Sequence, residues 1–485
     1  MRPQKRVQYY NMVFSSVVFL LYFLPAFLIT YYVVGKKYKN FVILLFSILF
    51  YSWGAPKFIF AIVGSSLLGF FLVKKMHLTE TPSSKKKLLT LAIALHLGLL
   101  FYFKYANFFI DNVNALLTFF GSSPVQWTKI VLPIGISFFT FEAITYVVDV
   151  YRGVHKPLDR FWDYLLYILF FPKLIAGPII RYHDLADQIW DRSQNETIDN
   201  RLKGFYRFIL GLAKKVLIAN QVGGWADFIF GLNYTCLDSF TAWMGILAYT
   251  FQIYFDFSGY SDMAIGIAKM VGFSFPENFN NPYISGSVTE FWRRWHISLG
   301  SWMKNYLYIP LGGNRVPNKR RLYFNLWIVF LASGLWHGAS WSFVFWGAYH
   351  GLFLVLERGF LLKFYQKIGR LASTVVTFLL VTIGWVFFRV EKISDAFLYI
   401  KRLFAFDFQH NASLDKEFYT FFFLAAVFSF FAYFKKGQQL QDAFYFHNYS
   451  LKKHIALALT SSLLLILCIS FITASGFNPF IYFRF

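Results

Sequence analysis

Apolar stretches close to membrane-spanning length follow one another along almost the whole of this 485-residue chain. Short gaps part them, and the gaps carry the basic residues. A spanning helix needs about 20 predominantly apolar residues. Runs approaching that length lie near 14–35, 41–73, 88–120, 129–150, 162–180, 203–220, 240–272, 323–356, 371–390, 418–434 and 454–475. In hydrocarbon the backbone must satisfy its own polar groups, so such runs fold as helices. Only 15% of the residues are charged, against roughly a quarter in a soluble domain. The expectation is an all-α polytopic membrane protein with about ten to twelve spans.

The net charge of +23 does not point to nucleic acid, because no basic aromatic module is present. The charge instead sits at Lys36-Lys37, Lys85-Lys86-Lys87, Lys319-Arg320-Arg321, Lys435-Lys436 and Lys452-Lys453, the pattern of cytoplasmic loops. The run at 14–35 is too long for a signal peptide and lacks a small-residue cleavage site, so it reads as a retained span. With the clusters at 36–39 and 74–87 inside, the N-terminus lies outside, although Arg2, Lys5 and Arg6 argue the other way. Several runs are interrupted, at Trp53-Gly54-Ala55-Pro56-Lys57, Pro133-Ile134-Gly135 and Phe171-Pro172. Non-helical backbone at membrane depth is tolerated where it is buried in protein or lines a cavity. Tilted and re-entrant helices around an internal cavity are therefore expected. The polar stretches near 181–202 and 273–290 are loop-sized, and the chain reads as one helical membrane domain. Cys236 and Cys468 define neither a disulfide framework nor a metal cluster.

Two Trp-rich segments hold the candidate chemistry. Leu335-Trp336-His337-Gly338-Ala339 places a histidine inside the run Trp327 to Leu356, which contains no Lys, Arg, Asp or Glu. Sixteen helical residues beyond the basic loop, His337 climbs roughly 24 Å, past the bilayer midplane. An ionisable side chain at that depth is a functional candidate, although a core histidine hydrogen-bonded across helices is an equal reading of the residues alone. In Phe291-Trp292-Arg293-Arg294-Trp295-His296, an interfacial belt accounts for Trp and Arg but not for His296. His350 lies thirteen residues after His337, too far along one helix for direct contact, and is read as a supporting residue. Asp256 and Asp262, in Tyr254-Phe255-Asp256-Phe257-Ser258-Gly259-Tyr260-Ser261-Asp262, need partners in an apolar run. Anchoring of Arg293 or Arg294 is favoured over a metal site. His96, in another apolar run, reads as a structural, hydrogen-bonded histidine.

These segments resemble the membrane-bound O-acyltransferase family, most closely its bacterial cell-surface branch. That branch holds the membrane subunits of alginate and peptidoglycan O-acetylation and of teichoic acid D-alanylation. The resemblance runs through Met12-Val13-Phe14-Ser15-Ser16, Tyr102-Phe103-Lys104-Tyr105-Ala106-Asn107, Leu132 to Phe138, Ile175-Ala176-Gly177-Pro178 and Leu311-Gly312-Gly313-Asn314-Arg315. Alginate-type relatives commonly begin at the position of Met12, which makes residues 1–11 an extension or a misassigned start. The helical domain is then 12–475, followed by an aromatic motif at 476–485.

The resemblance implies a ring of helices around a thinned centre with a tunnel to the active site. It implies acetyl-CoA as donor from the cytoplasmic side, and no permanently bound cofactor. By position, His337 matches the family's characteristic histidine, and His296 stands where eukaryotic lipid-modifying relatives usually have Asn. Acyl transfer to a hydroxyl needs a base, a role suited to His337. It also needs hydrogen-bond donors for the developing oxyanion, from His296, a neighbouring tryptophan (Trp336 or Trp295) or Asn305. Lys304, Arg315, Lys319, Arg320 and Arg321 are candidates for holding the phosphates of CoA, or set topology only.

The final residues, Phe477 to Phe485, fit an interfacial aromatic anchor. They also resemble the Phe-Ile-Tyr-Phe ending of the small protein that accompanies the D-alanylation subunit, where the tyrosine is implicated as acyl carrier. Tyr482, expected at the outer face, would be that carrier here. No SGNH-type nucleophile block and no large outer domain are present, so a separate periplasmic SGNH-type O-acetyltransferase is the expected partner. The expected location is a bacterial inner membrane. The rival readings are direct acyl transfer to a lipid or lipidated protein, and a transporter without chemistry. The polymer, alginate or peptidoglycan among others, is left open.

Overall fold

A computed structural model describes residues 12–408, 414–445, 449–475 and 480–481. Among these residues the chain forms helices and turns and no β-strand. It divides into two compact units. One comprises Met1–Phe208, Met263–Pro276 and Ser475–Pro479, and the other Ile209–Asp262, Glu277–Ala474 and Phe480–Phe485.

In the first unit the interruptions seen in the sequence become helix boundaries. Helix Lys39–Gly54 stops before Pro56, and helix Ile59–Leu78 begins after it. Ile59–Leu78 packs on Pro82–Leu100, which continues through a π-helical turn at Phe101–Tyr105 into Ala106–Phe119. Helix Ile136–Tyr151 starts directly after Gly135, whose φ of 78° suits glycine. This helix is buried along nearly its whole length. Its Glu142 forms an ion pair with Lys173, and both side chains are shielded from solvent. His96 is buried against Gly69, and among the described residues neither of its ring nitrogens has a hydrogen-bond partner. Packing thus holds this residue, not the hydrogen bonds expected of it.

In the second unit, close-packed helices carry the Trp-rich segments. The long helix Ser239–Met270, which begins here, is buried almost all round, as expected for a helix inside a protein interior. Helix Lys319–His337 turns at Gly338 and returns as Trp341–Leu356. The two helices approach until backbone meets backbone. A Cβ on Gly334 would stand 2.3 Å from the Phe343 carbonyl oxygen, and one on Gly347 would stand 2.3 Å from that of Phe330. Small residues at such crossings let membrane helices pack by backbone contact. At the other extreme, Leu451–Ser475 leaves Leu459, Leu463 and Ile466 exposed, the pattern of a helix facing lipid.

Among the described residues, four helices are long and apolar enough by length and composition to cross a membrane, or up to five if the bent pair Lys416–Tyr433 and Lys435–Tyr445 counts as one span. The sequence runs suggest about ten to twelve. Much of the difference lies in runs that fold as short or broken helices, such as Phe161–Leu169, Phe171–Leu174 and Ile198–Ala213. Ser239–Met270 is long but falls outside the spanning set.

The crossing in the histidine-bearing hairpin is open to a direct test. Gly347→Ala is expected to destabilise the protein by about 1–3 kcal/mol through overpacking, lowering the midpoint of a detergent thermal melt. Gly64→Ala, where a new methyl would meet nothing within 4 Å, is expected to leave the midpoint unchanged or raise it slightly.

Candidate active site

His296 sits in a segment whose backbone is fixed from both sides. Helix Val288–Arg294 is anchored at its start by Ser287, whose side chain accepts from Glu290 N at 3.0 Å. The buried Glu357 carboxylate accepts from Val288 N at 2.6 Å and Thr289 N at 2.8 Å, where a negative charge suits a helix N-terminus. The chain leaves this helix at Trp295, which bridges antiparallel to Phe279. His296 then adopts a left-handed conformation, φ 46° and ψ 54°, before helix Ile297–Trp302 begins. A non-glycine residue there costs about 1–3 kcal/mol, and such strain clusters at functional sites.

Asn278 sets the state of the His296 ring. Its Oδ1 lies 3.0 Å from His296 Nδ1, 2.8 Å from Ser298 Oγ and 3.3 Å from Ser298 N. A backbone N–H can only donate, so this atom is an acceptor, and His296 Nδ1 carries the proton it receives. Asn278 Nδ2 donates to Ser261 Oγ at 3.0 Å. In the neutral ring, Nε2 therefore bears the lone pair, and among the described residues it is buried without a partner. This revises the role expected of His296. A neutral ring in this tautomer accepts a hydrogen bond at Nε2 and cannot donate one to an oxyanion.

His337 closes helix Lys319–His337 and is buried. Its ring centroid lies 6.5 Å from that of His296. The two histidines, 41 positions apart in sequence, thus meet in one site. Aromatic rings wall it. Trp336, Trp346 and Phe388 lie 5.0, 5.1 and 5.1 Å from His337, and Phe257 lies 4.7 Å from His296. His350 joins the same cluster through Trp346 and Trp292, each with its ring 5.0 Å away. Trp295 packs below, 4.9 Å from Trp385. The indole N–H groups of Trp292 and Trp346, and both ring nitrogens of His350, are buried without hydrogen-bond partners.

The other expected residues fall elsewhere. Asp256 pairs with Lys215, and Asp262 with Lys214 at 2.6 Å, so neither anchors Arg293 or Arg294. The lysines come from a π-helical turn, Lys214–Ala219, that faces the aspartates. Arg294 instead pairs with Glu290 at 3.0 Å, and Arg293 is exposed. Asn305 is half-buried on the π-helical turn Met303–Tyr308. Lys304, Arg315, Lys319, Arg320 and Arg321 are all exposed. The 319–321 cluster opens the helix that His337 ends, roughly 27 Å away along its axis. Tyr482 lies outside the described residues. Its neighbours Phe480 and Ile481 are buried in protein, not laid at an interface as an aromatic anchor would be. Among the described residues, no group of three or more His, Cys, Asp or Glu is arranged to hold a metal ion.

Asn278 escaped sequence reasoning because it is 18 residues from its histidine in a polar loop, and Trp346 because it reads as one more apolar residue. The cue available for Trp346 was its place four residues before His350, on the same face of a helix.

Comparison with known proteins adds to this geometry. Residues 6–392 match the sequence model of the membrane-bound O-acyltransferase family. The chain is 46% identical over 397 residues to the probable alginate O-acetylase of Pseudomonas aeruginosa, covering 81% of this chain and 75% of that protein. It is 36% identical over 423 residues to the peptidoglycan O-acetyltransferase of Helicobacter pylori, covering 80% and 79%. It is 29% identical over 277 residues to the teichoic acid D-alanyltransferase of Bacillus subtilis, covering 53% and 68%.

The Asn278–His296 bond predicts a split between two variants. Asn278→Ala frees the ring to take the wrong tautomer and is expected to lower the acyl-transfer rate by about 10-fold or more. Asn278→Asp keeps the acceptor and adds a negative charge, which favours imidazolium. Because Nε2 must be unprotonated to accept, the acid limb of the pH–rate profile is expected to move to higher pH in Asn278→Asp only. Superimposable profiles for Asn278→Asp and wild type would show that Asn278 does not govern this ring.

Proposed function

This chain belongs to the membrane-bound O-acyltransferase family, and from that premise we propose that it moves acetyl groups from cytoplasmic acetyl-CoA across a bacterial inner membrane for O-acetylation of a surface polysaccharide. A periplasmic SGNH-type transferase then places them on the polymer. That the chain is a membrane acyltransferase follows from the family and from its apolar helices. The polysaccharide is supported by the names of the relatives, alginate at 46% identity and peptidoglycan at 36%.

The observation that carries the mechanism is the meeting of two buried imidazoles within an aromatic wall that keeps unpartnered N–H groups. His337 takes the proton of the acceptor hydroxyl as its oxygen forms a bond to the thioester carbonyl carbon. His296 Nε2 accepts the hydrogen bond of that hydroxyl as it enters, before the hydroxyl turns its one proton to His337. The carbonyl oxygen becomes an oxyanion, which the indole N–H groups of Trp292 and Trp346 are suited to receive. Collapse breaks the carbon–sulfur bond, and the departing thiolate recovers the proton from His337. The imidazolium formed in between stands at the carbonyl end of its helix, where the macrodipole favours positive charge. General-base help contributes typically about 10²–10⁴-fold, and an oxyanion donor about 10²–10³-fold. Burial among aromatic rings strengthens both effects and limits hydrolysis of the thioester.

In this scheme the acceptor is the phenol of Tyr482. Its aryl ester is a more reactive donor than an alkyl ester, which suits onward transfer to a serine. Support comes from the burial of Phe480 and Ile481 in the unit that holds both histidines.

Two variants test the scheme together. His337→Ala is expected to insert normally and to lower polymer acetylation by about 10² or more. Tyr482→Phe is expected to stop acetylation while acetyl-CoA still binds. Mass spectrometry of the last peptide, trapped without the partner enzyme, is expected to show one added acetyl group in the wild type only. Normal acetylation by Tyr482→Phe would remove the carrier. Normal acetylation by His337→Ala at equal membrane abundance would remove the base.

The donor side has its own test. Replacing Lys319, Arg320 and Arg321 together by Gln is expected to raise the KM for acetyl-CoA with little change in kcat, as for contacts made equally in ground and transition states. An unchanged KM would leave these residues a topological role only.

A further inference from the structure

The ion pair of Lys215 and Asp256 is deeply buried, with 2% of each side chain exposed. Such pairs gain little net stability, because desolvation offsets the attraction. In membrane proteins, charges at such positions usually mark function. Here each oxygen of the carboxylate has a separate use. Oδ1 holds Lys215, while Oδ2 accepts from the backbone N–H of Ile481 at 2.8 Å. The preceding residue is gripped as well. The Phe480 ring stands edge-on to Tyr260 at 4.9 Å, and the Lys215 ammonium sits over its face at 4.6 Å. Asp256 and Tyr260 are one turn apart on the same helix face. Phe480 and Ile481 are 1% and 4% exposed.

We infer that Asp256, Lys215 and Tyr260 form a binding socket for an aromatic–aliphatic dipeptide main chain, occupied here by Phe480-Ile481 of the chain itself. The carboxylate reads the backbone, and the lysine and tyrosine read the ring. The adjacent face of the same helix serves the catalytic histidine. Phe257 packs on His296, and Ser261 holds Asn278, which holds His296. One stretch of helix thus seats the tail on one face and supports the catalytic ring on the next. Where Tyr482 is the acyl carrier, a reading this part rests on, the socket sets the register at which that residue, one peptide unit beyond Ile481, is presented.

Hydrogen–deuterium exchange of the full-length protein in detergent, resolved at the Ile481 amide, tests the socket without reference to chemistry. The amide is expected to be protected in the wild type. Exchange is expected to speed up about tenfold or more in Asp256→Asn, as for loss of a hydrogen bond to a charged group. The same is expected in Phe480→Ala, which alters only the tail and leaves the Lys215–Asp256 pair intact. Ile481→Pro removes the donated N–H and is expected to lower polymer acetylation about tenfold or more. A wild-type Ile481 amide exchanging at the rate of a free amide would overturn the socket. So would unchanged protection in both Asp256→Asn and Phe480→Ala. The carrier reading fails separately. Normal acetylation by Tyr482→Phe with a protected Ile481 amide removes the carrier and keeps the socket. An inactive Tyr482→Phe with an unprotected amide keeps the carrier and removes the socket.

Discussion

Exclusion of water from the interior is the constraint on which the rest of this structure depends. A charge or polar group buried there must be met by another group of the chain. The lysines and carboxylates obey this closely. Glu142 meets Lys173, Asp256 meets Lys215, Asp262 meets Lys214, and Glu357 meets the first backbone amides of helix Val288–Arg294. Three of the π-helical turns carry a buried ionisable side chain, at Lys104, Lys215 and Glu357. The wider turn is a local deviation of the kind found at functional positions. Unpartnered buried polar atoms also occur away from the histidines, as at His96, so it is their gathering around two imidazoles that bears on function. His296 Nε2, both nitrogens of His350 and the indole N–H groups of Trp292 and Trp346 are buried without partners. Each costs about 1–3 kcal/mol when left unmade. A substrate with a carbonyl oxygen and a hydroxyl supplies the complementary acceptor and donor.

The two histidines are held by opposite means. His337 ends a regular helix, and close backbone packing fixes that helix against its neighbour. Its position follows from packing. His296 stands between two short helices in a left-handed conformation, and hydrogen bonds fix it. Its position follows from a polar network that runs from Ser261 through Asn278 to the ring and to Ser298. The network also selects the tautomer, so one asparagine decides whether the ring offers a proton or a lone pair.

Much of the fold was legible because its signals are local. Gly-Pro at 54–56 and Gly135 mark helix ends by backbone chemistry alone, and the structure breaks at both. The helical stretch from the basic loop to His337 was legible too, and it forms one helix, Lys319–His337. The partners of Asp256 and Asp262 were not legible. The sequence offers several cations within reach, and only the packing of Lys214–Ala219 against the aspartate face selects the lysines over Arg293 and Arg294. Asn278 was hidden for the same reason, since a contact across a loop leaves no periodic trace. Apolar runs record burial, and a helix buried in protein reads the same as one in lipid, so the run at 240–272 forms a long helix enclosed by protein. The roles of His337 and His296 and the relay through Tyr482 came from resemblance, not from local pattern.

The seating of Phe480-Ile481 also bears on how an acyl group avoids water. A free acceptor would have to enter the dry site from outside and bring its hydration with it. An acceptor tethered to the same chain faces an intramolecular step, and its effective concentration is set by the linkage and not by its abundance. Geometry then decides efficiency, because orientation in a near-attack arrangement can lower the barrier by about 7–11 kcal/mol. The main-chain hydrogen bond to Asp256 suits that task. It fixes where the backbone passes at Ile481 through a main-chain atom alone. The anchor is one backbone N–H, a ring held by Tyr260 and Lys215, and one aliphatic side chain, and none of these replaces the bond between Lys215 and Asp256. The carrier role proposed for Tyr482 requires both seating and release, and an anchor of this kind is suited to each.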